Sequence, residues 1–211
     1  MGPWTFSAPL PTPEPPAVDA FLSAVDRTTN GNTLLLTAEC DPPLTAQDGR
    51  AALPALLRSD LFDPLLRGAD ARRGWHNLTD GSRPHELPLL RRDFRAALAP
   101  LDRAGFLARL RRMLREAWSP YRHRLPAAQA ERLVGDFARE LLGPDGRDDP
   151  DGRDAPAWSF AAVGPDFLRC AHYPDDAPEP WPTYFDGCGN DTATLAHRGR
   201  TLHLLLTNGS P

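Results

Sequence analysis

Two short segments near the C-terminus alternate apolar and polar side chains, and this alternation restricts the fold more than any other pattern in the chain. They are residues 192–197 and 200–206, and they flank Arg198-Gly199. Alternation with a period of two is typical of a half-buried strand, and a two-residue turn would join the segments as a hairpin. We therefore predict a C-terminal β-hairpin with His203 on its outer face. Its buried face would carry these residues: Ala193, Leu195, Leu202, Leu204 and Leu206.

The rest of the chain adds a strand and several helices to this hairpin. Residues 32–39 form an apolar run typical of a strand inside a sheet. Residues 18–25 and 88–142 carry apolar side chains at helical spacing, and the first helix of the second stretch would start at Pro88 and include Leu98. These patterns predict an α+β fold, with an antiparallel or mixed sheet of about five strands, a C-terminal hairpin and a helical block covering one face.

The organisation of the chain follows from its composition. A length of 211 residues suits a single α+β domain, residues 1–211. Within it we expect a proline-rich entry segment (1–16), an arginine-rich helical block (88–142), an acidic linker (144–156) and a C-terminal sheet (157–211).

Charge is unevenly distributed along the chain, whose net charge is −4. Residues 91–124 hold ten arginines and three acidic residues, whereas residues 145–191 hold eleven acidic residues and three arginines. Guanidinium groups suit phosphate partners, so a nucleic-acid binder acting through the arginine-rich helices is one hypothesis. We favour neutralisation between the two stretches, or solvation of both, because an acidic molecule repels the phosphate backbone at long range.

A cysteine between two glycines precedes the predicted hairpin and is a candidate nucleophile. Cys188 would need a base and an orienting group, for which His76 and Asp191 are the candidates, with Asp186 and Asn190 as binding residues. Flanking glycines permit the sharp turns on which nucleophiles are presented. The alternative is a simple turn in which the thiol has no role. We favour this turn, since the two aspartates disfavour a thiolate.

A second polar cluster lies between residues 75 and 85. Its candidate binding residues are Asp80, Arg83 and His85, which join His76 on a loop-like stretch. Loops held by a rigid scaffold commonly form binding sites. An ordinary turn with its corner at Asp80-Gly81 explains the same residues, and both interpretations stay open.

Several function classes lack support in the sequence. Cys170, His172 and Cys188 do not form the tight ligand pairs of structural zinc sites, so we expect neither a metal nor a cofactor. Phosphate-loop, dinucleotide-binding and common protease motifs are absent from the sequence. No apolar run approaches the roughly 20 residues that span a bilayer, and the first residues do not form a signal peptide. We therefore expect a cytoplasmic protein without membrane contact.

These observations favour a binding or interaction protein over an enzyme.

All 24 basic residues are arginine and isoleucine is absent, which is typical of a GC-rich bacterial genome. The helix ending at Asn30-Gly31, the apolar strand and the late glycine-rich turn are together similar to immunity-type interaction domains, although the resemblance covers only part of the chain and transfers no residue role.

We therefore expect an immunity-type or regulatory protein whose polar loops contact a protein partner or a small anionic ligand. The alternative is a small cysteine-dependent hydrolase or transferase centred on Cys188. The sequence makes no prediction of oligomeric state.

Overall fold

The structure, a computed structural model, describes residues 4–9, 14–74, 97–117, 123–143, 157–164 and 192–209. These ranges contain five strands and five helices: β1 (Thr5–Ser7), α1 (Pro16–Thr29), β2 (Gly31–Leu44), α2 (Gly49–Leu57), α3 (Phe62–Arg72), β3 (Leu98–Leu101), α4 (Arg103–Arg115), α5 (Ala127–Leu142), β4 (Ser159–Val163) and β5 (Thr192–Gly209). The strands form one antiparallel sheet in the order β1-β2-β5-β4-β3. The predicted α+β class is confirmed.

Two long strands form the centre of this sheet. β2 and β5 pair in unbroken register from Gly31 opposite Gly209 to Glu39 opposite Thr201. The strand predicted over residues 32–39 is confirmed as an interior strand. Its run of leucines is explained by burial on both faces, since Leu34 and Leu35 point into different apolar clusters and are both buried.

The C-terminal segment does not pair with itself as the predicted hairpin would. Both halves are strand, but they form one continuous β5, whose first half pairs with β4 and whose second half pairs with β2. Gly199 lies between the halves at a φ of 53°. Each half finds a neighbouring strand to pair with, and Arg198-Gly199 is a weak turn former compared with Asn-Gly.

The side chains that the hairpin would bury are buried nonetheless. All five lie in one apolar cluster, and His203 lies on the opposite face, as predicted. The alternation of faces shifts by one residue around Gly199, as in a β-bulge that begins with a glycine in the left-handed conformation. This shift has the same effect on the faces as a two-residue turn, which is why the pattern predicted the faces correctly and the pairing wrongly.

Helices cover both faces of the sheet, so the prediction of a single covered face is wrong. α2 and α3 pack on the face of Leu204, and α1, α4 and α5 pack on the face of Leu205. The second layer includes a close ring contact between Phe21 and Phe137, whose centroids lie 4.3 Å apart. The segment 49–72 supplies the extra layer, because it contributes five fully buried side chains: Leu53, Leu56, Leu57, Phe62 and Leu66.

The arginine-rich block is only partly helical in the part of the chain that the structure describes. α4 and α5 confirm two of its helices, but Leu98 belongs to β3 and pairs with Val163. Pro100 explains the difference, since proline is tolerated in a strand at the edge of a sheet, where β3 lies, and disrupts a helix interior.

Candidate functional site

The site residues chosen from the sequence all lie outside the described residues. The cysteine site (Cys188, Asp191, His76, Asp186 and Asn190) and the remaining loop residues (Asp80, Arg83 and His85) are therefore still predictions. Within the described ranges, histidine, cysteine and acidic side chains form no group of three or more that could hold a metal ion. The helices in these ranges are also too short or too polar to cross a membrane.

A cleft of about 520 Å³ opens beside the sheet where α1, α3 and α5 approach β2. The topology explains why there is room for it. β1 is three residues long and pairs with residues 39–41 of β2, so among the described residues no strand pairs with this edge of β2 at Leu35 and Thr37. Residues of α3 line the cleft together with these two. Gly68 faces the cleft from α3 without a side chain to fill it. The described lining residues are Ala8, Pro9, Glu14, Pro15, Val18, Leu35, Thr37, Leu61, Pro64, Leu65, Gly68, Arg72, Glu140, Leu141 and His203.

His203 is the most buried ionisable group of this lining, with 7% of its surface exposed. It lies directly opposite Thr37 in the sheet, and its Nδ1 is 2.9 Å from the Thr37 Oγ1. Its ring stacks on Trp158, with centroids 5.6 Å apart and planes at 23°. Within the described residues Nε2 has no hydrogen-bond partner, so this nitrogen is available to a ligand in the cleft.

Burial lowers the pKa of His203 to about 4. Loss of solvation on burial is the cause, since it disfavours the charged form of the ring. The imidazole is therefore neutral near pH 7. It can donate or accept a hydrogen bond there but does not supply positive charge.

Trp158 fixes the orientation of the His203 ring by stacking on it. Its indole Nε1 donates a hydrogen bond to the Leu142 carbonyl at 2.9 Å, which anchors the tryptophan to the end of α5. The guanidinium of Arg198 lies over the same indole, 5.0 Å from the ring centroid. The stacked indole thus holds in place the His203 ring, which lines the cleft.

The charged groups lie at the more exposed positions of the lining. The guanidinium of Arg72 and the carboxylate of Glu14 are 3.5 Å apart, with side chains 36% and 18% exposed. Glu140 is exposed, and within the described ranges it forms no ion pair. With His203 neutral, two carboxylates and one guanidinium leave the described lining negatively charged.

An ion-pair cluster fixes the position of α3 against α1 and so sets the width of the cleft. Arg73 pairs with Asp19 and with Asp26, the second through an Nη2 to Oδ2 distance of 2.6 Å. Asp26 and Arg73 have side chains only 8% exposed, and burial raises the pKa of Asp26 although Arg73 opposes the rise. Separating such a pair would leave a buried charge unpaired, so the cluster resists movement of α3.

Cys40, a buried thiol, is not a candidate nucleophile. Its Sγ donates a hydrogen bond to the Arg200 carbonyl at 3.3 Å. Burial raises the pKa of this thiol, whereas a reactive cysteine needs a lowered pKa and access to solvent.

The arginines of α4 turn largely towards groups of the protein itself. Arg109 donates to the Thr194 hydroxyl at 3.1 Å, and burial lowers its pKa. Arg111 pairs with Glu131 at 2.8 Å. These contacts leave less of the helix charge available to a phosphate backbone than the sequence alone indicates.

Sequence reasoning placed His203 on the correct face but did not select it as a site residue. The signal available was a single histidine inside the apolar run Leu202–Leu206. The cleft around it joins residues from α1, β2, α3, α5 and β5, and no local pattern brings these together. Compared with protein-family models, curated proteins and solved structures, this chain matches none.

Proposed function

We propose that this protein is a non-catalytic binding protein, of immunity or regulatory type, and that the His203 cleft receives part of its ligand. The observation that carries this proposal is the buried, neutral imidazole of His203, which adjoins an apolar cleft with Nε2 open among the described residues. Ligand sites of roughly 300–1,000 Å³ typically combine apolar walls with a few fixed polar groups. The cleft has this composition.

The chemistry of the cleft favours binding over catalysis. A general base works best when its pKa lies near the working pH, and the pKa of His203 is about 4. The described lining contains neither cysteine nor serine that the histidine could activate. The hydroxyl group in the described lining is that of Thr37, and it is hydrogen-bonded to Nδ1 of His203.

A protein partner and a small ligand are both compatible with this proposal. A protein partner would insert an apolar side chain between Leu35 and Leu65, and a small ligand would occupy the same space entirely. Of the two partner classes expected from the sequence, the negative lining favours the protein partner over a small anion.

Filling the cleft tests the proposal. The substitution Gly68→Phe adds a ring to the cleft-lining side of α3, where the nearest atom to a new Cβ is the flexible Arg72 Nη1 at 3.4 Å. The matched control is Gly135→Phe on α5, where a new Cβ meets nothing within 4 Å. Both replace a helical glycine, so their effects on helix formation are similar.

The probe is 1-octanol, a neutral apolar molecule, observed through amide chemical shifts. We expect 1-octanol to shift the resonances of Thr37 and His203 in the unmodified protein and in Gly135→Phe, and Gly68→Phe to weaken binding at least about tenfold. Absence of binding up to the solubility limit, or equal binding by the two variants, would contradict the proposal.

A further inference from the structure

The charges lining the cleft define which ligands it would accept, if it binds a ligand as proposed above. Glu14 and Glu140 line the cleft together with one cation, Arg72. The N-terminus of α1 and the C-terminus of α5 both lie at this lining, and their opposite partial charges offset one another. The formal charges of the described lining, two carboxylates and one guanidinium with His203 neutral, therefore sum to −1.

Glu140 is the carboxylate most available to a ligand. The neighbouring Arg139 pairs with Asp136 at 2.9 Å and so is committed elsewhere. Glu14 is only loosely held by Arg72 at 3.5 Å, a distance beyond that of a good charge-assisted hydrogen bond. A cationic group that enters from solvent would meet one unpaired carboxylate and one weakly paired carboxylate.

His203 supplies a second, independent indication of a ligand. Its ring is more than nine-tenths buried, and Nε2 lacks a partner among the described residues although the ring lines the cleft. Buried polar groups are normally hydrogen-bonded, so an open ring nitrogen marks a place where a ligand or water completes the set. Leu35, Val18 and Leu141 provide the apolar lining near it.

We propose that the His203 cleft binds an organic cation with an apolar body. Its ammonium group lies at Glu140 and Glu14, its apolar body lies against Val18, Leu35 and Leu141, and a water between the ligand and His203 completes the hydrogen bonds of Nε2. The same chemistry occurs in a free alkylamine and in the lysine side chain of a protein partner. This assignment rests on the cleft being a ligand site, and it adds the sign of the charge that the ligand carries.

Three probes of equal chain length separate charge from apolar burial: octylamine, 1-octanol and octanoate. Their dissociation constants are measured near pH 7 at low ionic strength, where screening is weakest. We expect octylamine to bind about three to ten times more tightly than 1-octanol, because exposed ion pairs contribute modestly. Octanoate should bind most weakly.

The substitution Glu140→Gln tests which carboxylate acts. It should bring the affinity for octylamine to within about twofold of that for 1-octanol and leave 1-octanol binding unchanged. The control is Glu116→Gln, which makes the same charge change at the residue that follows α4, at a side chain 70% exposed and outside the cleft lining. It should leave the preference for octylamine intact.

The outcomes distinguish this inference from the proposed function. Octanoate binding as tightly as octylamine, or an unchanged preference in Glu140→Gln, would overturn the cationic assignment while Gly68→Phe still tests the cleft itself. Failure of all three probes to bind would overturn both the cationic assignment and the proposed function.

A lysine-containing tripeptide, acetyl-Leu-Lys-Leu-amide, separates the two sources of the cation when it is compared with octylamine. Tighter binding of the peptide assigns a protein partner, and tighter binding of octylamine assigns a free amine.

Discussion

His197 and His203 lie on the same strand and are both almost fully buried, yet their surroundings differ. His197 packs against the start of α2 so closely that a Cβ on Gly49 would lie 2.6 Å from its Nε2. His203 lies on the other face and adjoins an open cleft. Burial lowers the pKa of both rings. A buried histidine with a low pKa is therefore not by itself evidence of a site, and the open space beside the ring is what separates the two cases.

The largest expected loss of stability comes from a substitution on the closed face of the sheet, which holds His197. The residue to change is Leu204, which follows His203. It points to the His197 face and is fully buried. Leu204→Ala should lower the free energy of unfolding by about 2–5 kcal/mol, because a buried leucine loses its packing and leaves a cavity. Leu107→Ala, at a partly buried position on α4, is the control and should cost less. Equal losses in urea denaturation would contradict the assigned faces.

Acidification tests the burial of His203, the histidine beside the open cleft. The ordinary pKa of histidine is 6.5 and that of His203 in the folded protein is about 4. The unfolded chain takes up the proton first, so the contribution to stability is complete above about pH 6.5 and is lost as the pH falls towards 4, by about 3 kcal/mol. His203→Gln should remove most of this dependence in denaturation measured from pH 7 to 4. An unchanged slope in the variant would show that other groups cause it.

A pair of glycine substitutions sharpens the contrast between the closed and open faces. Gly49→Ala places a methyl group against the His197 ring and should destabilise the protein by about 1–3 kcal/mol through overpacking. Gly68→Ala adds the same group beside the cleft and should stabilise by about 0.5–1 kcal/mol, since alanine favours a helix interior over glycine. Thermal unfolding of both variants measures the difference. If both substitutions changed the stability in the same direction, the contrast between the closed face and the cleft would be wrong.

Local patterns predicted the local features of this fold. The strand over residues 32–39 followed from its apolar run, and the buried face of β5 followed from period-two alternation. The helix over residues 18–25 followed from its 3.6-residue spacing. The partners of β5 did not follow, because strand pairing depends on which distant strands are available. The layer formed by α2 and α3 did not follow either, because a local pattern does not show which face of a sheet a helix covers.

The candidate site was less accessible to sequence reasoning than the fold. Thr37 and His203 are 166 residues apart in sequence and meet only through the β2–β5 register. Sequence reasoning instead chose dense polar loops, whose residues lie outside the described ranges. A cleft assembled from single residues of several elements leaves no cluster in the sequence to detect.

Gly199 determines which face of the sheet His203 occupies. At this residue the alternation of β5 changes phase, so odd-numbered residues before it and even-numbered residues after it share one face. Deleting one residue at this point would move the side chains of one half of β5 to the opposite face of the sheet. Either the half after Gly199 or the half before it would change faces. If the later half inverted, the leucines would face α1, α4 and α5, and His203 would leave the cleft for the opposite layer. One glycine in the left-handed conformation therefore sets both the hydrophobic core of the C-terminal strand and the polar group offered to a ligand.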